Sequence, residues 1–128
     1  MHPNEELLRN SFYAFGRGDM DTLRANFTED IVWHFPGKSP MGGEFPGVDE
    51  TLGWLGRTFE LSGGTIRTEV HDVLANDTQA VALFTVTAQR DGKSLDDHTV
   101  GVYEIEGGNV REAWFHPGDQ YATDDFWS

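Results

Sequence analysis

From Ile66 to Pro117 the chain alternates apolar or β-branched residues with polar ones, and turn residues punctuate the pattern three times. A period of two sends successive side chains to opposite faces of a strand. Ile66 to Ala75 is turned by Asn76-Asp77, Thr78 to Gln89 by Asp91-Gly92, and Lys93 to Ile105 by Gly107-Gly108. Asp-Gly between such runs is a strong hairpin signal, because the favoured two-residue turn needs φ > 0 at its central positions. The last run, Val110 to His116, stops at Pro117, which has no N–H for the ladder. The pattern predicts an antiparallel meander, and such a sheet must cover at least one face.

The residues before Ile66 supply the cover. Asn4 is placed to cap a first helix, with Glu5 and Glu6 favourable at its N-terminus. Leu8, Phe12 and Phe15 make its apolar stripe, Tyr13 flanks that stripe, and Gly16-Arg17-Gly18 ends it. Asp19 can cap a short second helix with Met20, Leu23 and Phe27 on one face, closed by Thr28-Glu29-Asp30. A third helix starts near Gly47 and buries Val48, Leu52, Leu55 and Phe59, with Trp54 to one side. Gly53 and Gly56 fit either close packing against another backbone or a locally weak helix, each costing about 1 kcal/mol there. A short acidic, aromatic tail, Asp124-Asp125-Phe126-Trp127, reads as a helical turn.

Between the second and third helices lies Ile31-Val32-Trp33-His34-Phe35-Pro36, a β-branched and aromatic run stopped by proline, followed by the Gly/Pro-rich crossing Gly37 to Val48. A strand end beside a bending loop is a common place for a ligand cavity. The fold class is therefore α+β, one domain over residues 1–128, with helices segregated onto one face of a curved antiparallel sheet.

The charge balance narrows the partners. Nine Lys+Arg against 22 Asp+Glu give a net charge of −13, which argues against nucleic acid, since phosphate binding needs clustered cations. No Cys is present, so there is no disulfide framework, thiolate nucleophile or thiolate ligand. The start, Met1 to Glu6, lacks the regions of a signal peptide, and the longest apolar run, Ala80 to Val86, is too short for a bilayer. The expectation is a cytoplasmic protein without a membrane partner.

The order of elements and several motifs resemble the NTF2-like superfamily, in particular its SnoaL-like and ketosteroid-isomerase-like members. The matching pieces are Phe15-Gly16-Arg17-Gly18-Asp19, Phe27-Thr28-Glu29-Asp30, Gly47-Val48-Asp49-Glu50 and the run Gly107 to Trp114 (GGNVREAW). The resemblance implies a cone-shaped pocket between a curved sheet and three helices, and it implies no metal or organic cofactor. It also implies a homodimer through the outer sheet face, for which Trp114 and Val102 are candidate contacts. Carried over residue by residue, the family's catalytic positions fall at Phe35, near Ser11, near Gly101 and at Phe115. Three carboxylate or imidazole positions are thus held by Phe, Gly and Phe.

The polar residues that remain are few. His34, at the strand end, is the first catalytic candidate, because an imidazole titrates near neutral pH and can move a proton. Anchoring on Pro36 puts it toward the cavity, and the alternative is the outer sheet face. Asp97 is the second candidate: alternation sets it with Thr99 and Gly101, opposite Asp96 and His98. It is either a pocket acid/base or a solvent-exposed cap near a turn. Arg111 shares the parity of Ala113 and Phe115, so it could clamp an oxyanion or else pair with an acid. Tyr13 is a second oxyanion candidate. Trp33, Phe35, Trp54, Tyr103 and Phe115 are aromatics suited to an apolar, ring-containing ligand. His71, His98 and His116 show no metal-ligand spacing, so no metal is expected.

Two functions fit this pattern. One is a cofactor-free acid/base isomerase, cyclase or dehydratase acting on a polycyclic or terpenoid-like molecule. The other is a non-catalytic small-molecule-binding or dimerisation module, which the vacated family positions favour.

Overall fold

The computed structural model describes all of residues 1–128. Helix α1 (Pro3–Gly16) and helix α2 (Met20–Asn26) come first, then strands β1 (Phe27–Phe35) and β2 (Gly43–Pro46) and helix α3 (Val48–Leu61). Strands β3 (Arg67–Ala75), β4 (Gln79–Arg90), β5 (Lys93–Glu106) and β6 (Asn109–Pro117) follow, and helix α4 (Gln120–Trp127) ends the chain.

The four predicted strands form the meander, and β1 joins it on the far side of β6. The sheet order is β2-β1-β6-β5-β4-β3. Only the β1–β6 pairing is parallel, and the other four are antiparallel. The architecture is the expected curved, unclosed α+β sheet with helices on its concave side. One hydrophobic cluster runs from Leu8 and Phe15 on α1 through Trp54 and Leu55 on α3 to Phe126 and Trp127 on α4.

Several local expectations are corrected. His2, not Asn4, caps α1, its Nδ1 accepting from the Asn4 N–H at 3.0 Å. Asn4 is freed to turn inward, where its Nδ2 donates to the Asn76 carbonyl at 2.9 Å and fixes the β3–β4 turn to the helix. Phe27 belongs to β1, because the ladder with β6 begins there, at Phe27↔Val110. The crossing holds the short strand β2, paired with β1 through Trp33↔Phe45 and His34↔Glu44. Helix α3 is rotated from the expected face: Val48, Thr51, Trp54, Leu55 and Thr58 are buried. Leu52 and Phe59 are only half-buried, because the two threonines return their hydroxyls to backbone carbonyls and can occupy the core. A Cβ at Gly53 or Gly56 would meet nothing within 4 Å, so these glycines serve no close approach. The tail is a helix rather than one turn, with Phe126 and Trp127 buried, and no helix is long and apolar enough to cross a membrane.

Candidate active site and ligand cavity

Alternation along β1 decides what faces the helices. Trp33, 6% exposed, points inward, and its register partner Ala113 on β6 lies beside Tyr103 on β5 and then Ala80 on β4. Two alanines in that row leave room that two aromatics border. The next inward position on β6 is Phe115, whose ring centroid lies 4.7 Å from Trp33 and 5.8 Å from Tyr103. From the helix side Trp54 closes over Phe35 at 4.9 Å, and its Nε1 donates to the Met41 carbonyl at 2.8 Å. That bond seats the Gly/Pro-rich crossing against α3.

These side chains enclose a cavity of about 110 Å³. Seventeen of its 24 lining residues are hydrophobic, and Asp97 is the only charged one. Its size is of the order at which apolar cavities stay dry and accept a guest of one aromatic ring. Trp33, Phe35, Trp54, Tyr103, Phe115 and Asp97 all line it. Phe12, Phe84, Thr99, Thr123 and Trp127 line it too and were not among the candidates. A signal for Trp127 existed in the tail, where two large aromatics follow a run of acids. Trp33 Nε1 and Thr123 Oγ1 are buried with no hydrogen-bond partner on the chain, which is uncommon for groups of this kind.

Asp97 is 5% exposed and fully engaged. Its Oδ2 accepts from Thr99 Oγ1 at 2.7 Å and from the Gly118 N–H at 3.1 Å, and its Oδ1 accepts from the Asp119 N–H at 2.9 Å. Asp119 in turn caps α4 through the Ala122 N–H at 3.0 Å. Gly118 is needed at this turn, because a Cβ there would come within 2.7 Å of the His98 carbonyl oxygen. Asp97 is therefore buried, not in solvent, and it holds the turn that delivers α4 and its Thr123 and Trp127 onto the cavity.

Three other candidates lie elsewhere. His34, expected toward the cavity, faces the outer side of the sheet, since its neighbour Trp33 takes the interior and a strand cannot send both inward. Its Nε2 lies 2.6 Å from Glu112 Oε2, its Nδ1 3.4 Å from Glu44 Oε1, and its ring stacks on Trp114 at 5.2 Å. Arg111 also misses the cavity. The ladder passes from Ile105↔Val110 to Glu104↔Glu112, so Arg111 is an extra residue in a β-bulge, and the parity count from Ala113 breaks there. It pairs with Glu104 and lies 3.8 Å from both Glu106 and Glu112. Tyr13 is 65% exposed, two residues from Phe15 and so on the opposite side of α1, with the Arg17 guanidinium 4.5 Å over its ring. On the outer face Val102 pairs with Trp114, and Thr85 bridges His71 and His98 at 2.6 and 3.1 Å. No three His, Cys, Asp or Glu side chains converge into a metal-binding group.

A cone of this construction, closed by a C-terminal helix, has a match at the level of family. Residues 8–113 match the model of the SnoaL-like domain. The chain belongs to the SnoaL-like family. Its NTF2-like resemblance thus holds. An uncharacterised protein of Mycobacterium tuberculosis is 36% identical over 124 residues, covering 96% of this chain and 95% of the relative. Bal32a, from a soil-derived mobile gene cassette, is 35% identical with a TM-score of 0.96, over 98% of this chain and 97% of that one. An NTF2-like protein of Burkholderia xenovorans shares the fold at a TM-score of 0.84 and 21% identity, over 98% and 96% of the two chains. Family and cavity together mark a small-molecule pocket.

Proposed function

We propose that this SnoaL-like chain binds an apolar, ring-containing small molecule in the cone without a metal or organic cofactor. The observation that carries the reading is the cavity wall: rings from β1, β5, β6 and α3 border about 110 Å³ with a single charged residue, itself bonded to the chain. Apolar walls with few polar groups are what such ligands need. Binding is favoured over acid/base turnover because the two catalytic candidates stand on opposite faces of the sheet, with His34 held between carboxylates outside.

A second reading, an isomerase, cyclase or dehydratase, rests on Asp97 alone, which lines the cavity beside Thr99. Either way, a second copy of the chain would cover the outer face, where Leu74, Val81, Val102 and Trp114 form one apolar row across four strands.

Native mass spectrometry of freshly purified protein, with titration of isopropylbenzene by calorimetry, tests the pocket. The expected result is a retained small-molecule adduct or saturable binding that a chelator leaves unchanged. Neither adduct nor binding, or binding abolished by chelator and restored by a divalent ion, would overturn it.

A further inference from the structure

The cavity contains one hydroxyl whose placement depends on a glycine. Tyr103 is 3% exposed and lines the cavity, and burial alone raises the pKa of its phenol, with no hydrogen bond from the chain contributing. Its ring lies along β5 across Gly101, the next residue on the same face. A Cβ at 101 would stand 2.5 Å from the hydroxyl oxygen, 2.8 Å from Cζ and 2.9 Å from Cε2. Any other residue at 101 would displace the phenol, so Gly101 is the cradle that holds it. The register partners of Tyr103, Ala80 and Ala113, are small and buried, at 1% and 0% exposure.

Each unmet group in this wall has a proton to donate, although the Thr123 and Tyr103 hydroxyls can also accept. The Trp33 Nε1–H, across Ala113, is a donor only and has no partner. The Tyr103 hydroxyl has a proton to give, and burial pushes its phenol well above the ordinary range, which keeps that proton in place. The acceptor-rich group of the cavity, Asp97, is already supplied with three donors. No cationic residue lines the space, so a ligand anion would lose its hydration without compensation.

From this geometry we propose that Tyr103, seated over Gly101, is the residue that selects the occupant: a neutral ring-containing molecule with a carbonyl-type oxygen that accepts the phenol proton in a hydrogen bond. The proposal rests on the pocket reading above and adds the ligand's polar group to it. Gly101 is a positioning residue in this arrangement, and Tyr103 makes the contact.

The test uses two probes of nearly the same shape, acetophenone and isopropylbenzene, against wild type and Tyr103→Phe by isothermal titration calorimetry. Loss of one neutral hydrogen bond should weaken acetophenone by about fivefold to tenfold. Isopropylbenzene should bind both proteins equally. The infrared carbonyl stretch of bound acetophenone should lie lower in wild type than in Tyr103→Phe. Unchanged acetophenone affinity in the variant, or an equal loss for both probes, would overturn the role of Tyr103 and leave the pocket standing. If neither probe bound wild type, the pocket reading would fall with it. Should Tyr103→Phe not fold, the wild-type spectrum alone decides, since a stretch at its non-hydrogen-bonded frequency overturns the proposal.

Discussion

The two faces of one sheet divide the work of this molecule, and residues one position apart fall on different sides of that division. Trp33, Tyr103 and Phe115 face the helices and border a nearly uncharged cavity. His34, Val102 and Trp114 are their immediate neighbours in sequence or register, and they face outward among Glu44, Glu112 and Arg111. Inside, polar atoms are either saturated by the backbone, as at Asp97, or left open, as at Trp33 Nε1. Outside, charges neutralise one another in water. The contrast teaches that a titratable side chain beside a pocket residue is not thereby a pocket residue.

The sharpest way to break this comparison is to truncate Phe115 and Trp114 separately. Phe115 packs against Trp33, Phe84 and Tyr103, so Phe115→Ala should lower the unfolding free energy by about 3–5 kcal/mol, the usual cost of emptying a core aromatic site. Isopropylbenzene binding should weaken with it. Trp114→Ala should leave that binding within about twofold, and in sedimentation it should shift any dimer toward a 14.3 kDa species. Equal losses of binding in the two variants would erase the distinction between the faces.

A smaller effect separates latch from catalyst at Asp97. Asp97→Asn keeps the shape but offers one acceptor oxygen to donors that now use two, and it turns an amide NH₂ toward an N–H. Urea denaturation should show a loss of about 2 kcal/mol, from weakened charge-assisted bonds and one unsatisfied buried donor. Proteolysis at the C-terminal helix should rise in parallel, because the Gly118 and Asp119 amides lose their anchor. Unchanged stability with lost turnover on a substrate would move Asp97 from latch to acid/base catalyst.

How much of this was legible follows from where simple periods hold. The meander and the inward residue Tyr103 could be read by counting in twos from the Asp91-Gly92 turn, because β4 and β5 pair without interruption, whereas Ala113 and Phe115 lie beyond the bulge of β6. Asp97 could be set beside Thr99 and Gly101 by the same count. Arg111 could not, since a bulge inserts one residue between Val110 and Glu112 and nothing in Asn109-Val110-Arg111-Glu112 announces it. The face of His34 stays open in the sequence, because a short strand counted backward from a proline has no independent anchor for its parity. The row Trp33–Ala113–Tyr103, a relation across three strands, supplies that anchor only after folding. The full length of helix α4 is hidden in the sequence, because two apolar residues at its end carry no period. Gly101 read as a vacated family position, and only the structure shows a tyrosine hydroxyl filling the space above it.

The smallest expected effect, and the most exacting for the comparison, belongs to His34. Its imidazole links three strands: Glu44 on β2 at 3.4 Å, Glu112 on β6 at 2.6 Å, and the Trp114 face. The side chain is 21% exposed and Glu44 is 75% exposed, so solvent screens at least one of the two pairs. Exposed pairs contribute about 0–1 kcal/mol, and little more is expected here even with the stacked indole. His34→Ala should therefore lower stability by no more than about 1 kcal/mol, mostly by loosening the edge strand β2. Hydrogen exchange should detect that loosening at Gly43–Pro46 while the amides of β4 and β5 stay protected. Acetophenone affinity should stay within about twofold of wild type, because no atom of His34 borders the cavity. A larger fall in affinity, or a loss of turnover on any substrate, would mean that the outer face acts on the inner one, and the division between the two faces would have to be abandoned.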